Sequence, residues 1–135
     1  MQMIEQSESL KSVRIKTYRD LLVWQKSMAL VTEIYRLLKS FPKDETYGLA
    51  SQIRRCAVSV PSNIAEGYGR NSTNDYIRFL YIATASLYEL QTQIEIALNL
   101  QYLSKTDFDK LYESSREIER MLSSLTGKLN DKRNK

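Results

Sequence analysis

Residues 76–97, YIRFLYIATASLYELQTQIEIA, decide the fold. Within them Tyr76, Leu80, Ala83, Leu87, Leu90, Ile94 and Ala97 step by 4, 3, 4, 3, 4 and 3. That alternation recurs close to the helical repeat, so it marks one face of an α-helix and not a strand. Ser72 stands three residues before Asp75, a pairing that resembles a capping box with Asp in place of Glu. The helix is expected from about Thr73 to Leu100.

Three more segments of the same kind surround it. Trp24, Ser27, Val31, Ile34, Leu38 and Phe41 form a seam in a helix expected from about Tyr18 to Ser40, and Leu30 and Leu37 widen its apolar face. Pro42 ends it, because the residue before a proline is pushed out of the α region. Leu49, Ile53, Cys56, Val60 and Ile64 mark a second helix from about Glu45 to Tyr68. Pro61 lies inside it, removing one hydrogen bond and crowding the carbonyl of Ala57, so a kinked but continuous helix is expected. Gly67 and Gly69 supply its stop. Ser104 repeats the cap spacing with Asp107, and Phe108, Leu111, Ser115, Ile118, Leu122, Leu125 and Leu129 carry the last seam. Four such helices with short connections predict an all-α, antiparallel up-down-up-down four-helix bundle. It is expected over residues 18–129, with a flexible polar tail at 1–17 and a charged tail at 130–135.

Composition agrees and narrows the chemistry. The chain has 135 residues, 42% apolar and 27% charged, which suits one globular domain. Four Gly and two Pro are too few turn-makers for an all-β fold. One Cys excludes an intramolecular disulfide and a multi-thiolate metal site. There is no His, which removes the commonest general acid/base, the Ser-His and Cys-His nucleophiles and imidazole metal ligands. No catalytic residue, metal or cofactor is therefore expected. No apolar run is long enough to span a membrane, and the first residues lack the apolar core of a secretory signal, so a cytoplasmic location is expected. The net charge of +4 permits contact with phosphates without requiring it.

One segment carries more than a core stripe. Gln52, Ser59, Asn63 and Glu66 step by 7, 4 and 3 and share one face of the second helix. This polar line has three readings: a solvated face, a buried network that fixes helix register, or a binding site. Ser59 or Ser62 also stands within reach of the carbonyl freed by Pro61, a purely structural use.

The same segment resembles a known family. QIRRCAVSVPSNIAEG, residues 52–67, is its most specific part, supported by FPKDETYGLAS before it and YIRFLYIATASLYELQTQIEIALNL after it. These residues are similar to the small bacterial four-helix bundle proteins encoded within intervening sequences of 23S ribosomal RNA genes. Family members often carry Ala where this chain has Cys56. The resemblance implies an antiparallel four-helix bundle with no established catalytic activity. A related branch, the accessory variability proteins of diversity-generating retroelements, implies a homo-oligomer, a pentamer, whose basic surface binds nucleic acid.

Two non-enzymatic readings follow. In the first, a homo-oligomeric bundle binds RNA, another nucleic acid or a nucleoprotein. Its candidate contacts are Lys26 and Arg36 on the first helix, Arg54 and Arg55 on the second, Arg70 in the loop after it, and Arg116 and Arg120 on the fourth. The competing use of those side chains is ordinary ion pairing with Glu33, Glu89, Glu113, Glu117 or Glu119. In the second reading, the helix with Pro61 and its Gly-rich exit bind a partner polypeptide without touching nucleic acid. Self-association draws limited support from Ile77, Phe79, Tyr81, Ile82 and Tyr88, apolar residues beyond the main seam of the third helix. An enzyme would need Ser59 or Cys56 activated by Lys or Glu, and Cys56 falls on the apolar seam, where thiols are normally inert.

Overall fold

The computed structural model describes residues 14–134, which form four long helices with no strand among them. They are α1 (Leu22–Leu38), α2 (Leu49–Tyr68), α3 (Thr73–Asn99) and α4 (Lys105–Arg133). Short 3-10 turns at Tyr18–Asp20 and Lys43–Glu45 precede α1 and α2. Residues 1–13, most of the expected polar tail, lie outside the described residues. No helix among the described residues is long and apolar enough to cross a membrane.

Each helix packs on two others. α1 and α3 both contact α2 and α4, and the core separates the diagonal pairs. Along α2 and α3, Ser59 meets Ser86 and Tyr68 meets Tyr76. Along α3 and α4, Asn74 meets Arg133, Tyr88 meets Glu119 and Gln91 meets Ser115. In both pairs the partner numbers fall as the first numbers rise, so these neighbours run in opposite senses.

The starts of α3 and α4 follow their sequence signals. Ser72 Oγ accepts from the Asp75 amide at 3.1 Å, and Ser104 Oγ from the Asp107 amide at 3.0 Å. The first two helices start later than their periodicity suggests. Thr17 and Asp20 cap each other's amides around the Tyr18–Asp20 turn, and α1 begins only at Leu22. Before α2, Glu45 accepts the Leu49 amide at 3.0 Å and the Tyr102 hydroxyl at 2.9 Å. One carboxylate thus holds the start of α2 and ties it to the connection between α3 and α4.

The core corrects the seams in detail. On α1 the buried residues are Val23, Ser27, Leu30 and Ile34, while Trp24 and Val31 are half-buried at the edge. On α2 they are Ala50, Ile53, Ala57, Val60, Pro61, Ile64 and Gly67, so Cys56 is half-buried and off the seam. On α3 the seam from Leu80 to Ala97 is buried as spaced, joined by Ile77 and Phe79. On α4 burial passes from Leu122 to Thr126, leaving Leu125 and Leu129 half-buried. A 3-4 alternation averages 3.5 residues, whereas a straight helix turns every 3.6, so the buried line drifts off the heptad.

The continuity expected at Pro61 holds, while the expectations at Gly67 and at the C-terminal segment change. The helical run of α2 is unbroken through Pro61, which is itself buried. Gly67 is no stop: it lies inside α2, where an added Cβ would come within 2.8 Å of Phe79 Cβ. Its missing side chain lets α2 and α3 approach closely. Gly69 is the C-cap, with φ −80°, so no left-handed turn ends the helix. The segment from residue 130, expected as a charged tail, continues α4 through Arg133, whose guanidinium reaches Asn74 at 3.2 Å and Asn130 at 2.7 Å.

Candidate functional site

α2 presents one face to α3 and another to α1, and the polar residues divide between them. Towards α3, Ser59 Oγ lies 2.7 Å from Ser86 Oγ. Asn63 Nδ2 donates to Ser59 Oγ at 2.9 Å and to the Ser59 carbonyl at 2.8 Å. These three side chains form a satisfied network between the helices. Ser59 therefore spends its hydroxyl across the interface and not on a carbonyl freed by Pro61. Gln52 lies on the same side of α2, at a pocket shared with Arg55, Cys56, Ser86, Glu89 and Gln93. Glu66 stands apart: it is exposed and pairs with Arg70 at 2.8 Å. The polar line is thus three pieces with three uses.

Towards α1, a groove of about 570 Å³ is lined by Val31, Tyr35, Arg36, Lys39, Arg54 and Val58 among others, and no carboxylate lines it. Arg54 donates to the Thr46 carbonyl at 2.9 Å and has no carboxylate partner among the described residues. Tyr35 is 42% exposed at the groove's wall. Val31 and Val58 also line a second groove of about 350 Å³, with Tyr18, Trp24, Met28 and Pro61. The two grooves adjoin at Val31 and Val58, so the α1–α2 face carries a channel of two parts, basic at the end of Arg36 and Lys39 and apolar at the end of Trp24.

The remaining basic candidates are largely neutralised where they stand. Lys26 pairs with Glu117 at 3.2 Å, Arg36 with Glu33 at 2.8 Å, Arg116 with Glu119 at 3.1 Å and Arg120 with Glu113 at 3.4 Å. Arg70, besides Glu66, lies over the Phe79 ring at 4.6 Å, with Arg78 over the same ring at 4.7 Å. Arg55 donates to Ser51 Oγ at 2.8 Å and faces α3, not the groove. Of the seven, Arg36 and Arg54 line one groove, to which the structure adds Lys39 and Tyr35.

Titratable groups report the same environments. Burial, aided by the neighbouring Glu89 carboxylate, pushes the Cys56 thiol above its ordinary value. A thiol held protonated this way is a poor nucleophile. Burial pushes the Tyr76 hydroxyl up to about 12. The Glu119 carboxylate raises Tyr88, whose hydroxyl donates to it at 3.3 Å. Glu119 also accepts from Gln91 at 3.2 Å, joining α3 to α4 in a network that the apolar seams do not reveal. Ser86 and Gln93 are equally hidden, and Glu89 enters the sequence reading only as an ion-pair partner. Their spacing of 3 and 4 flanks the seam at Leu87, Leu90 and Ile94, a signal masked by the stronger apolar one. Among the described residues, no group of three His, Cys, Asp or Glu could hold a metal ion.

Similarity to known proteins agrees with this architecture. A solved protein of unknown function from the S23 ribosomal protein family of Bacteroides thetaiotaomicron VPI-5482 is 25% identical, with a TM-score of 0.74. The likeness covers 78% of this chain and 96% of that one. No curated protein matches the chain. The family model described as 23S rRNA-intervening sequence protein matches residues 19–124, from the turn before α1 into the last turns of α4, and the chain belongs to that family.

Proposed function

We propose that this protein is a non-enzymatic, homo-oligomeric four-helix bundle that binds nucleic acid or a nucleoprotein in the bacterial cytoplasm. The observation that supports this most is the gathering of Lys39 and Arg54 with exposed Tyr35 around a groove without a lining carboxylate, beside Arg36, whose charge Glu33 offsets. Cations at a concave surface attract a phosphate backbone, and an exposed tyrosine offers a face on which a base stacks. The family's name ties its members to ribosomal RNA genes, which makes RNA the first probe.

The non-enzymatic part rests on the missing His and on a Cys56 thiol held protonated. The oligomeric part rests on Tyr81, Ile82 and Tyr88, which are 55%, 39% and 49% exposed on α3. A pentamer is favoured by the family resemblance: the chain is similar to the ribosomal-intervening branch, and the related retroelement branch forms pentamers. Repeating a groove around a ring multiplies weak phosphate contacts.

The apolar end of the channel favours a second reading, in which a partner polypeptide lays an apolar side on Trp24, Met28 and Val58. Titrating a labelled single-stranded RNA at several salt concentrations separates the two. Binding that weakens steeply with salt supports the nucleic-acid reading. Absence of RNA binding, with co-purification of a protein whose binding ignores salt, supports the second.

A further inference from the structure

The pocket between α2 and α3 is separate from the α1–α2 channel and has a different chemistry. It is an open hollow of about 300 Å³ lined by Gln52, Arg55, Cys56, Ser59, Ser86, Glu89 and Gln93. Every lining side chain except Cys56 is polar, and none is aromatic or aliphatic. The side chains of Arg55 and Glu89 are exposed at its mouth. Neither has an ion-pair partner among the described residues, although they line the same pocket. Arg55 donates one hydrogen bond, to Ser51 Oγ, which leaves most of its guanidinium donors uncommitted. Gln93 is 9% exposed, and its Oε1 is buried with no hydrogen-bond partner. A buried acceptor left unpaired is costly, and the Gln93 amide, which lines the pocket, gains a partner by turning towards a bound donor. The inner wall is fixed, because Ser59 and Ser86 are bonded to each other and Asn63 holds Ser59.

These groups define what would fit. A planar base wants an apolar or aromatic wall, and this pocket has none. A guanidinium and a carboxylate on one small polar pocket complement a molecule that carries both charges. A guanidinium takes a carboxylate in paired hydrogen bonds, and a carboxylate takes an ammonium. We propose that the α2–α3 pocket binds a small zwitterion of the free α-amino acid class, with its carboxylate on Arg55 and its ammonium on Glu89. A polar side chain on the ligand then meets Gln52 and Gln93, so polar amino acids fit better than branched apolar ones. The proposal does not depend on nucleic-acid binding, which uses the opposite side of α2.

L-serine and L-glutamine, titrated separately into the full chain and followed by amide and side-chain NMR shifts, test this. The expected result is saturable shifts at millimolar ligand around Arg55, Glu89 and Gln93. Ethanolamine lacks the carboxylate and N-acetyl-L-serine lacks the ammonium; each is expected to bind at least tenfold more weakly. Arg55→Gln and Glu89→Gln, both at exposed positions and checked for folding by circular dichroism, are each expected to weaken binding at least tenfold. The proposal is overturned if neither amino acid gives saturable shifts, if ethanolamine and N-acetyl-L-serine bind as well as L-serine, or if both variants bind like the parent.

Discussion

Ser59 Oγ and Ser86 Oγ meet at 2.7 Å across the α2–α3 interface, and Asn63 donates to Ser59 from one turn further along α2. Ser86 is 8% exposed, so water cannot readily replace a lost partner. Asn63→Ala and Ser86→Ala should each destabilise by about 1–3 kcal/mol in urea unfolding, because each removes hydrogen bonds from a network with little access to water. Glu66→Ala should cost less than about 1 kcal/mol, since its pair with Arg70 is a surface ion pair. Equal effects at Asn63 and Glu66 would contradict the division of the polar line.

Two glycines should respond in opposite directions. At Gly67 a methyl group would meet Phe79 Cβ at 2.8 Å and the Tyr76 carbonyl at 3.3 Å, backbone and near-backbone atoms that yield little. Gly67→Ala should destabilise by about 1–3 kcal/mol through overpacking. Gly127 lies in α4 with nothing within 4 Å of an added Cβ. Gly127→Ala should stabilise by about 0.5–1 kcal/mol, the helix-propensity difference. Thermal unfolding of the two variants reads both signs.

The fold was legible because each helix is long and its seam unmistakable, most clearly at Leu80, Ala83, Leu87 and Leu90. Caps at Ser72 and Ser104 could be read from a three-residue spacing because a cap is local chemistry. The site was legible only in part. Arg54 and Arg55 are neighbours in sequence, yet one faces α1 and the other α3, because a residue step turns a helix by about 100°. The role of Gly67 depends on how near α3 passes, which no pattern within α2 encodes. Glu45 and Tyr102 are 57 residues apart and meet only when two connections come together at one end of the bundle.

That contact gives stability a pH signature. The Leu49 amide and the Tyr102 hydroxyl hold the Glu45 carboxyl below its ordinary value. The Glu45 carboxylate in turn raises Tyr102. A depressed carboxyl contributes stability that is full above its unfolded value and lost as pH falls through the folded one. A raised tyrosine contributes stability present below its unfolded value and lost as pH rises through the folded one. The Glu45–Tyr102 contact should therefore be strongest between the two ranges. Tyr102→Phe should flatten the alkaline limb of a stability-against-pH curve. Glu45→Gln should flatten part of the acid limb; Asp20, lowered by the Lys16 and Thr17 amides, retains its share. Curves that superimpose with the parent's on both limbs would show that the contact carries no linkage.

Self-association should depend on α3. Tyr81 and Tyr88 are exposed, and both line the open groove towards α4. Replacing them together with Glu removes apolar surface and adds like charges at a symmetric contact, which disfavours close approach of copies. Sedimentation of the parent is expected to show an oligomer at micromolar concentration, and the double variant a smaller species. A monomeric parent would end the oligomer proposal.

The last prediction separates the adjacent arginines. Each phosphate contact by Lys or Arg to a single strand adds about 0.7 to the slope of log affinity against log salt. Arg54 lines the α1–α2 groove with Arg36 and Lys39, so Arg54→Ala should lower affinity for RNA and reduce the slope by about 0.7. Lys39→Ala should do the same, and the two together should reduce it by about 1.4. Arg55 faces α3, on the other side of the helix, so Arg55→Ala should leave the slope unchanged. Arg54 also holds the Thr46 carbonyl at 2.9 Å, and Arg54→Lys serves as its control. That variant keeps the charge, so it should preserve the salt slope even where losing the carbonyl contact lowers stability. A slope reduced by Arg55→Ala and untouched by Arg54→Ala would place the strand on the α2–α3 side and remove the channel from the proposal.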